Sequence, residues 1–154
     1  MLKLSKLADY GVVILATMAR QQDKMMTATR VAELTTLPVP TVSKLLKRMA
    51  KVGLLNATRG AAGGYRLARP ANEIPVATII EAVDGPIKIA GCVGPHVEHC
   101  GHEHACAIFG RWEPINLALN RAFNEVKLTD MIRSEDNALE ARFSAPSACA
   151  SSVG

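Results

Sequence analysis

Three cysteines and all four histidines of this 154-residue chain fall in one run, AGCVGPHVEHCGHEHAC, at residues 90–106. Cys92, Cys100 and Cys106 follow a C-x7-C-x5-C pattern, with His96, His99, His102 and His104 interleaved. Val93 and Val97 are the only branched apolar residues in the run, too few to build a core. Order in such a segment needs another source, and a metal centre held by soft thiolates is the usual one. Thiolates gathered on a flexible loop can wrap a multi-iron unit. Structural zinc is a rival: its cysteines usually stand roughly two to four residues apart, so the wider spacing here would need a histidine to complete the tetrahedron. A cysteine nucleophile beside a histidine, Cys106 near His104 or Cys100 next to His99, is a third option. Catalysis also requires a shaped pocket and an orienting third group, which a glycine-punctuated loop does not supply.

Compartment bears on this choice, because the same cysteines in a secreted protein would suggest disulfides. Lys3 and Lys6 before the apolar stretch GVVILATMA (11–19) superficially match a signal peptide. Asp9 interrupts that pattern, and Leu4, Leu7, Gly11, Ile14, Leu15 and Met18 recur at helical spacing, as the buried face of a helix does. The stretch is also too short to cross a bilayer. A reduced, cytoplasmic protein with no membrane association is expected. Cys149, in the small and polar tail SAPSACASSVG, has no specific role in this reading.

The net charge of +4 conceals an uneven spread. Residues 1–70 hold 12 Lys/Arg against 3 Asp/Glu, a balance of +9; residues 71–154 hold 6 against 11, a balance of −5. A basic first half points to a polyanionic partner.

Periodicity organises that half. A first helix is expected over about 5–20. Thr27 caps a short second helix to about Leu34, with Val31 and Leu34 facing inward. The turn TTLP leads to a third helix starting near Pro40 and Thr41, with Val42, Leu45, Leu46, Met49 and Val52 as its apolar stripe and Gly53 as its stop. Two helices joined this way form a helix-turn-helix, whose second member lies in the major groove. Thr41, Ser43 and Lys44 are placed for base edges; Lys47, Arg48 and Lys51 for phosphates. Residues 54–69, LLNATRGAAGGYRLAR, read as a hairpin with Gly60, Gly63 and Gly64 at its tip, a wing whose Arg59 can enter a minor groove. The glycine-rich tip lacks the Lys-Ser/Thr of a P-loop and opens onto no helix. A short helix follows over 74–83. A long one is expected from 107 to about 133, where Ile108, Trp112, Ile115, Leu119, Ala122 and Val126 repeat at the spacing of a coiled-coil seam, with Gly110 and Pro114 delaying its first turns. Such a helix closes against a twin, which makes the chain a homodimer.

The ordered set KLADYGV, KLLKRMAKVGLL, RGAAGGYRL, EAVDGP, three cysteines and a final helix resembles the IscR/NsrR-type winged-helix transcription regulators, over about residues 1–133. The fold class follows: mainly α, a winged helix-turn-helix with a small β-hairpin wing and a long C-terminal dimerisation helix. The layout is a DNA-binding domain at 1–85, a cluster loop at 86–106, a dimerisation helix at 107–134 and a disordered tail at 135–154. The resemblance implies a regulator, not an enzyme, that binds a double-stranded DNA operator and whose Fe–S cluster ([2Fe-2S] or [4Fe-4S]) reports iron, oxidants or nitric oxide; control of cluster-assembly genes is the leading target. It matches Arg59, Gly60, Gly63, Gly64 and Tyr65 to the family's wing and Cys92, Cys100 and Cys106 to its cluster cysteines. Two positions depart from the IscR pattern: Phe109 stands where a cluster-binding histidine is found, and Ser43 where the recognition helix carries an acid. NsrR-type members take a fourth ligand from an aspartate in the first helix of the opposite subunit, and Asp9 is the matching residue; His102 and His104 are the nearby alternatives.

Overall fold

The computed structural model describes residues 3–21, 24–94 and 97–132. The tail expected over 135–154, with Cys149, lies outside them. Among the described residues, six α-helices and a two-stranded hairpin appear in the order α1 (Lys6–Arg20), α2 (Ala28–Thr35), α3 (Val39–Lys51), β1 (Leu55–Thr58), β2 (Gly64–Leu67), a 3-10 turn (Ala71–Glu73), α4 (Val76–Asp84), α5 (Glu113–Glu125) and α6 (Leu128–Ile132).

Ser5 starts α1: its Oγ accepts from the Ala8 amide at 3.0 Å and donates to Asp84 Oδ1 at 2.8 Å, joining the start of α1 to the end of α4. Ala8, Gly11, Ile14, Leu15 and Met18 form the buried face. A Cβ on Gly11 would meet Val83 Cγ2 at 3.2 Å, so the glycine lets α1 and α4 approach closely. Thr27 caps α2 by accepting from the Arg30 amide at 3.2 Å. Val31 and Ala32 are its buried residues; Leu34, expected inward, is exposed because it lies off the narrow face that an eight-residue helix offers the core. The turn into α3 passes through Thr36 in the left-handed region (φ 57°). Val42, Leu45, Leu46 and Met49 are buried, each worth roughly 1.5–3 kcal/mol on leaving water. Val52, expected to extend that stripe, caps the C-terminal end of α3 and is exposed, and Gly53 follows at φ 76°.

The wing pairs antiparallel with Leu55 opposite Leu67 and Thr58 opposite Gly64. It is also fastened to the body, since the amides of Met26 and Tyr65 each donate to the other's carbonyl, at 2.9 and 2.8 Å. One core unites α1, α2, α3, the hairpin, α4 and α6, with Leu128 of α6 fully buried in it. A smaller cluster of Ala8, Val76 and Ile80 takes in Ile87 and Phe123, and seats α5 on α4.

The C-terminal helix expected over 107–133 is interrupted. The chain turns through 107–112, with Gly110 at φ 70°, and α5 begins at Glu113 with Pro114 in its first turn. It ends at Val126, which is extended (ψ 126°). There Val76 donates to the Val126 carbonyl and Leu128 to the Ile74 carbonyl, both at 2.9 Å. Those two bonds and the burial of Leu128 outweigh one more turn of helix.

Candidate functional site

The third helix turns a basic stripe outward. Lys44, Lys47 and Lys51 are exposed on it; Thr41 and Ser43, near its start, are half-buried. A groove runs from Thr27 and Ala28, at the N-terminus of α2, past Lys47 to Thr58, Arg59 and Tyr65 of the wing. Lys47 of α3 and Arg59 of the wing therefore present cations to one surface beside the start of α2, an arrangement suited to phosphates. At the wing tip Gly63 donates to the Gly60 carbonyl at 2.9 Å, and a Cβ on Gly63 would lie 2.4 Å from the Thr58 carbonyl oxygen. Gly60 has φ 111°. Gly64 passes close to Met26, where a Cβ would lie 2.6 Å from its carbonyl oxygen. Arg48 departs from its neighbours: its Nη1 donates to the Val83 carbonyl at 2.7 Å, latching α3 to the end of α4. Arg48 is otherwise exposed, and this latch stands beside the phosphate role expected of it from the basic run.

The cysteine run forms a surface loop between α4 and α5. Cys92 is half-buried beside the buried Val93, while Cys100 and Cys106 are exposed; all three are free thiols. The structure puts them on one loop, yet among the described residues no three His, Cys, Asp or Glu side chains converge as a metal-binding group. His96 lies outside the described residues. Asp9 is exposed on the first turn of α1 and is not gathered with the cysteines of its own chain.

Carboxylates organise the loop. Glu103 accepts from the Cys100 amide at 3.2 Å and its thiol at 3.4 Å, and pairs with His99. Desolvation acts upward on Glu103, but hydrogen bonds from its own amide, the Cys100 thiol and the Cys100 and Gly101 amides outweigh it and hold its carboxyl below the usual range. Glu98 is held low by the hydrogen bond and charge of Lys88. His102 and His104 are exposed, with His102 Nδ1 3.3 Å from the Cys100 carbonyl oxygen. Sequence reasoning passed over three residues of α5 that bond to the loop's first half: Glu113 to the Gly94 amide at 3.1 Å, Asn116 to the Ile89 amide at 3.2 Å and Asn120 to the Ile87 carbonyl at 3.0 Å. The available signal was two asparagines four residues apart, each directly after an apolar seam residue, Ile115 and Leu119.

A family model, Rrf2, described as an iron-dependent transcriptional regulator, matches residues 4–134. The chain belongs to the Rrf2 family. Relatives of this Rrf2 protein include the HTH-type transcriptional regulator IscR of Cereibacter sphaeroides, 28% identical over 138 residues that cover 87% of this chain and 89% of the relative. IscR of Yersinia pseudotuberculosis is 25% identical, with 88% and 82% covered. Similar solved structures are CymR, the global cysteine regulator of B. subtilis (TM-score 0.66, 25% identity, 88% of this chain and 100% of that one), and T. potens IscR (TM-score 0.60, 25% identity, 89% and 90%). The expected winged-helix fold is thereby established, and the chain is a transcription regulator rather than an enzyme. Among the described residues no helix is long and apolar enough to cross a membrane.

Proposed function

We propose that this Rrf2 regulator binds a double-stranded operator as a homodimer and senses iron, redox or nitric oxide status through a labile Fe–S cluster held by Cys92, Cys100 and Cys106. The observation that carries the reading is three free thiols on one loop, between the winged helix and α5, in a chain matched by an iron-dependent family. The donor set fits: soft sulfurs, unpaired by disulfides, on a stretch able to close around a multi-iron unit. When bound, the cluster would supply a redox- and oxidant-sensitive link that small molecules can break. The chain's own residues do the rest. Thr41, Ser43 and Lys44 face base edges, Lys47, Lys51 and Arg59 face the duplex backbone and groove, and the exposed Ile108, Trp112, Ile115 and Val126 give a second copy its contact. Asp9 of the opposite subunit is the proposed fourth ligand, and cluster-assembly genes, implied by the resemblance to IscR-type regulators, are the proposed targets.

Absorption and Mössbauer spectra of anaerobically purified protein, with iron and zinc analysis, test this. Visible colour with iron is expected; colourless protein carrying zinc would overturn the cluster in favour of a structural site. Cys100→Ala should strip iron while Cys149→Ala keeps it, and full iron retention in Cys100→Ala would remove the three-cysteine ligand set.

A further inference from the structure

We infer that Glu113, Asn116 and Asn120 of α5 are positioning residues that fix Cys92 in place before any cluster is bound. The inference rests on the cluster reading above and adds to it residues that no cysteine pattern contains.

The three side chains stand at i, i+3 and i+7, one face of the helix. Their partners run the opposite way along the loop: Asn120 Nδ2 donates to the Ile87 carbonyl at 3.0 Å, the Ile89 amide donates to Asn116 Oδ1 at 3.2 Å, and the Gly94 amide donates to Glu113 Oε2 at 3.1 Å. Residues 87–94 thus lie antiparallel along α5, and Cys92 falls between the second and third anchors. Asn116 is 3% exposed and is the buried polar residue of the described core. A buried amide is costly unless its hydrogen bonds are made, so an apolar residue would serve packing better; Asn116 earns its place by direction. Gly94, at φ 83°, turns its amide toward Glu113, and a Cβ there would already stand 4.0 Å from Asn116 Nδ2.

Cys100 and Cys106 are held differently. Their segment bonds mainly within itself: Glu103 to Cys100, the Ala105 amide to the His102 carbonyl at 3.0 Å and the Phe109 amide to the Cys106 carbonyl at 3.2 Å. The loop therefore has a half bearing Cys92 that is fastened to α5, and a second half that is joined to it by the Glu98 amide donating to the Gly91 carbonyl at 2.7 Å and by the Lys88–Glu98 pair. A ligand already in place lowers the ordering cost of binding the group.

The test compares wild type with Glu113→Ala, Glu113→Gln and Asn116→Ala. Cluster absorption is followed as it decays in air, and amide exchange at Ile89 and Gly94 is measured in iron-free protein. Glu113→Ala and Asn116→Ala should lose absorption about three- to tenfold faster, the worth of one hydrogen bond, with faster exchange at the amide each releases. Glu113→Gln keeps an acceptor oxygen and should restore both readouts. Decay at the wild-type rate in folded Glu113→Ala, or no rescue by Glu113→Gln, would overturn the inference while leaving the cluster reading intact. Unchanged exchange at Gly94 in iron-free Glu113→Ala would overturn it without reference to any cluster. Wild-type protein that never takes up iron would remove the cluster reading itself, an outcome visible before any variant is compared.

Discussion

Replacing Arg48 by alanine should destabilise the protein more than it weakens DNA binding, and replacing Lys47, one residue earlier, should do the reverse. Arg48 Nη1 donates to the Val83 carbonyl at 2.7 Å, in the last turn of α4, where helix carbonyls lack partners and carry partial negative charge. A hydrogen bond from a charged donor is worth up to about 3 kcal/mol when buried; with the arginine largely exposed, about 1 kcal/mol is the expected cost. For a chain of this size that lowers the thermal midpoint by about 2–4 °C. Lys47 lines the groove shared with the wing. Losing one phosphate contact per protomer flattens the log–log salt dependence by about 0.9, so the affinity lost between about 50 and 200 mM salt shrinks about 3.5-fold per protomer. Circular dichroism melts and fluorescence anisotropy titrations at several salt concentrations read the two effects separately. An Arg48→Ala protein with an unchanged midpoint and a salt slope reduced by a full contact would refute the assignment and return Arg48 to the phosphate backbone.

Arg59→Ala should reduce discrimination between operator and random duplex if the wing reads a groove; equal losses on both in a binding assay would place Arg59 on phosphates. Gly63→Ala would bring a Cβ to 2.4 Å from the Thr58 carbonyl oxygen, and should weaken operator binding with little change in the melting midpoint, because the tip stands off the core. Asp9→Ala should leave a cluster with altered absorption or faster loss in air; an unchanged spectrum, lifetime and DNA response would leave Asp9 as an acid in the first turn of α1, where the helix dipole favours it.

Where a residue's role follows from its neighbours in sequence, the chain could be read directly. The cap Thr27, the stripe from Val42 to Met49, the stop at Gly53 and the glycine tip of the wing all obey local rules of spacing and backbone freedom. The break at Val126 obeys none, since neither glycine nor proline marks it. It arises because Ile74 and Val76, about fifty residues earlier, offer backbone partners and the core offers Leu128 a place. Met26 pairing with Tyr65 is non-local in the same way. Of the cysteine loop, the thiols were evident and their support was not. Asn116 and Asn120 stand one residue past Ile115 and Leu119 of the apolar seam, and their role shows only when the loop's backbone is seen beside them. Arg48 shows the converse, a cation in a basic run whose partner, the Val83 carbonyl, has no sequence signature at all.

Within one protomer the recognition helix has little freedom to answer the loop. Val42, Leu45, Leu46 and Met49 are buried in one core with Ile14 and Leu15 of α1, Ile79 and Val83 of α4 and Leu128 of α6. Arg48 latches α3 to α4, and Ile87 and Phe123 seat the loop's start and α5 on the same α1–α4 pair. Swinging α3 against the loop would open several of these contacts at once, at a cost of several kcal/mol. In the proposed cluster-bearing dimer, a signal would then act between protomers, by changing how two reading heads are set for half-sites one turn of duplex apart, about 34–36 Å. Hydrogen exchange with and without iron checks this. Protection in α3 should be the same in both states, because its amides open only with the core, while residues 86–112 and the start of α5 should change. A loss of protection in α3 as large as that in the loop would show that the head itself rearranges and that the shared core does not hold it.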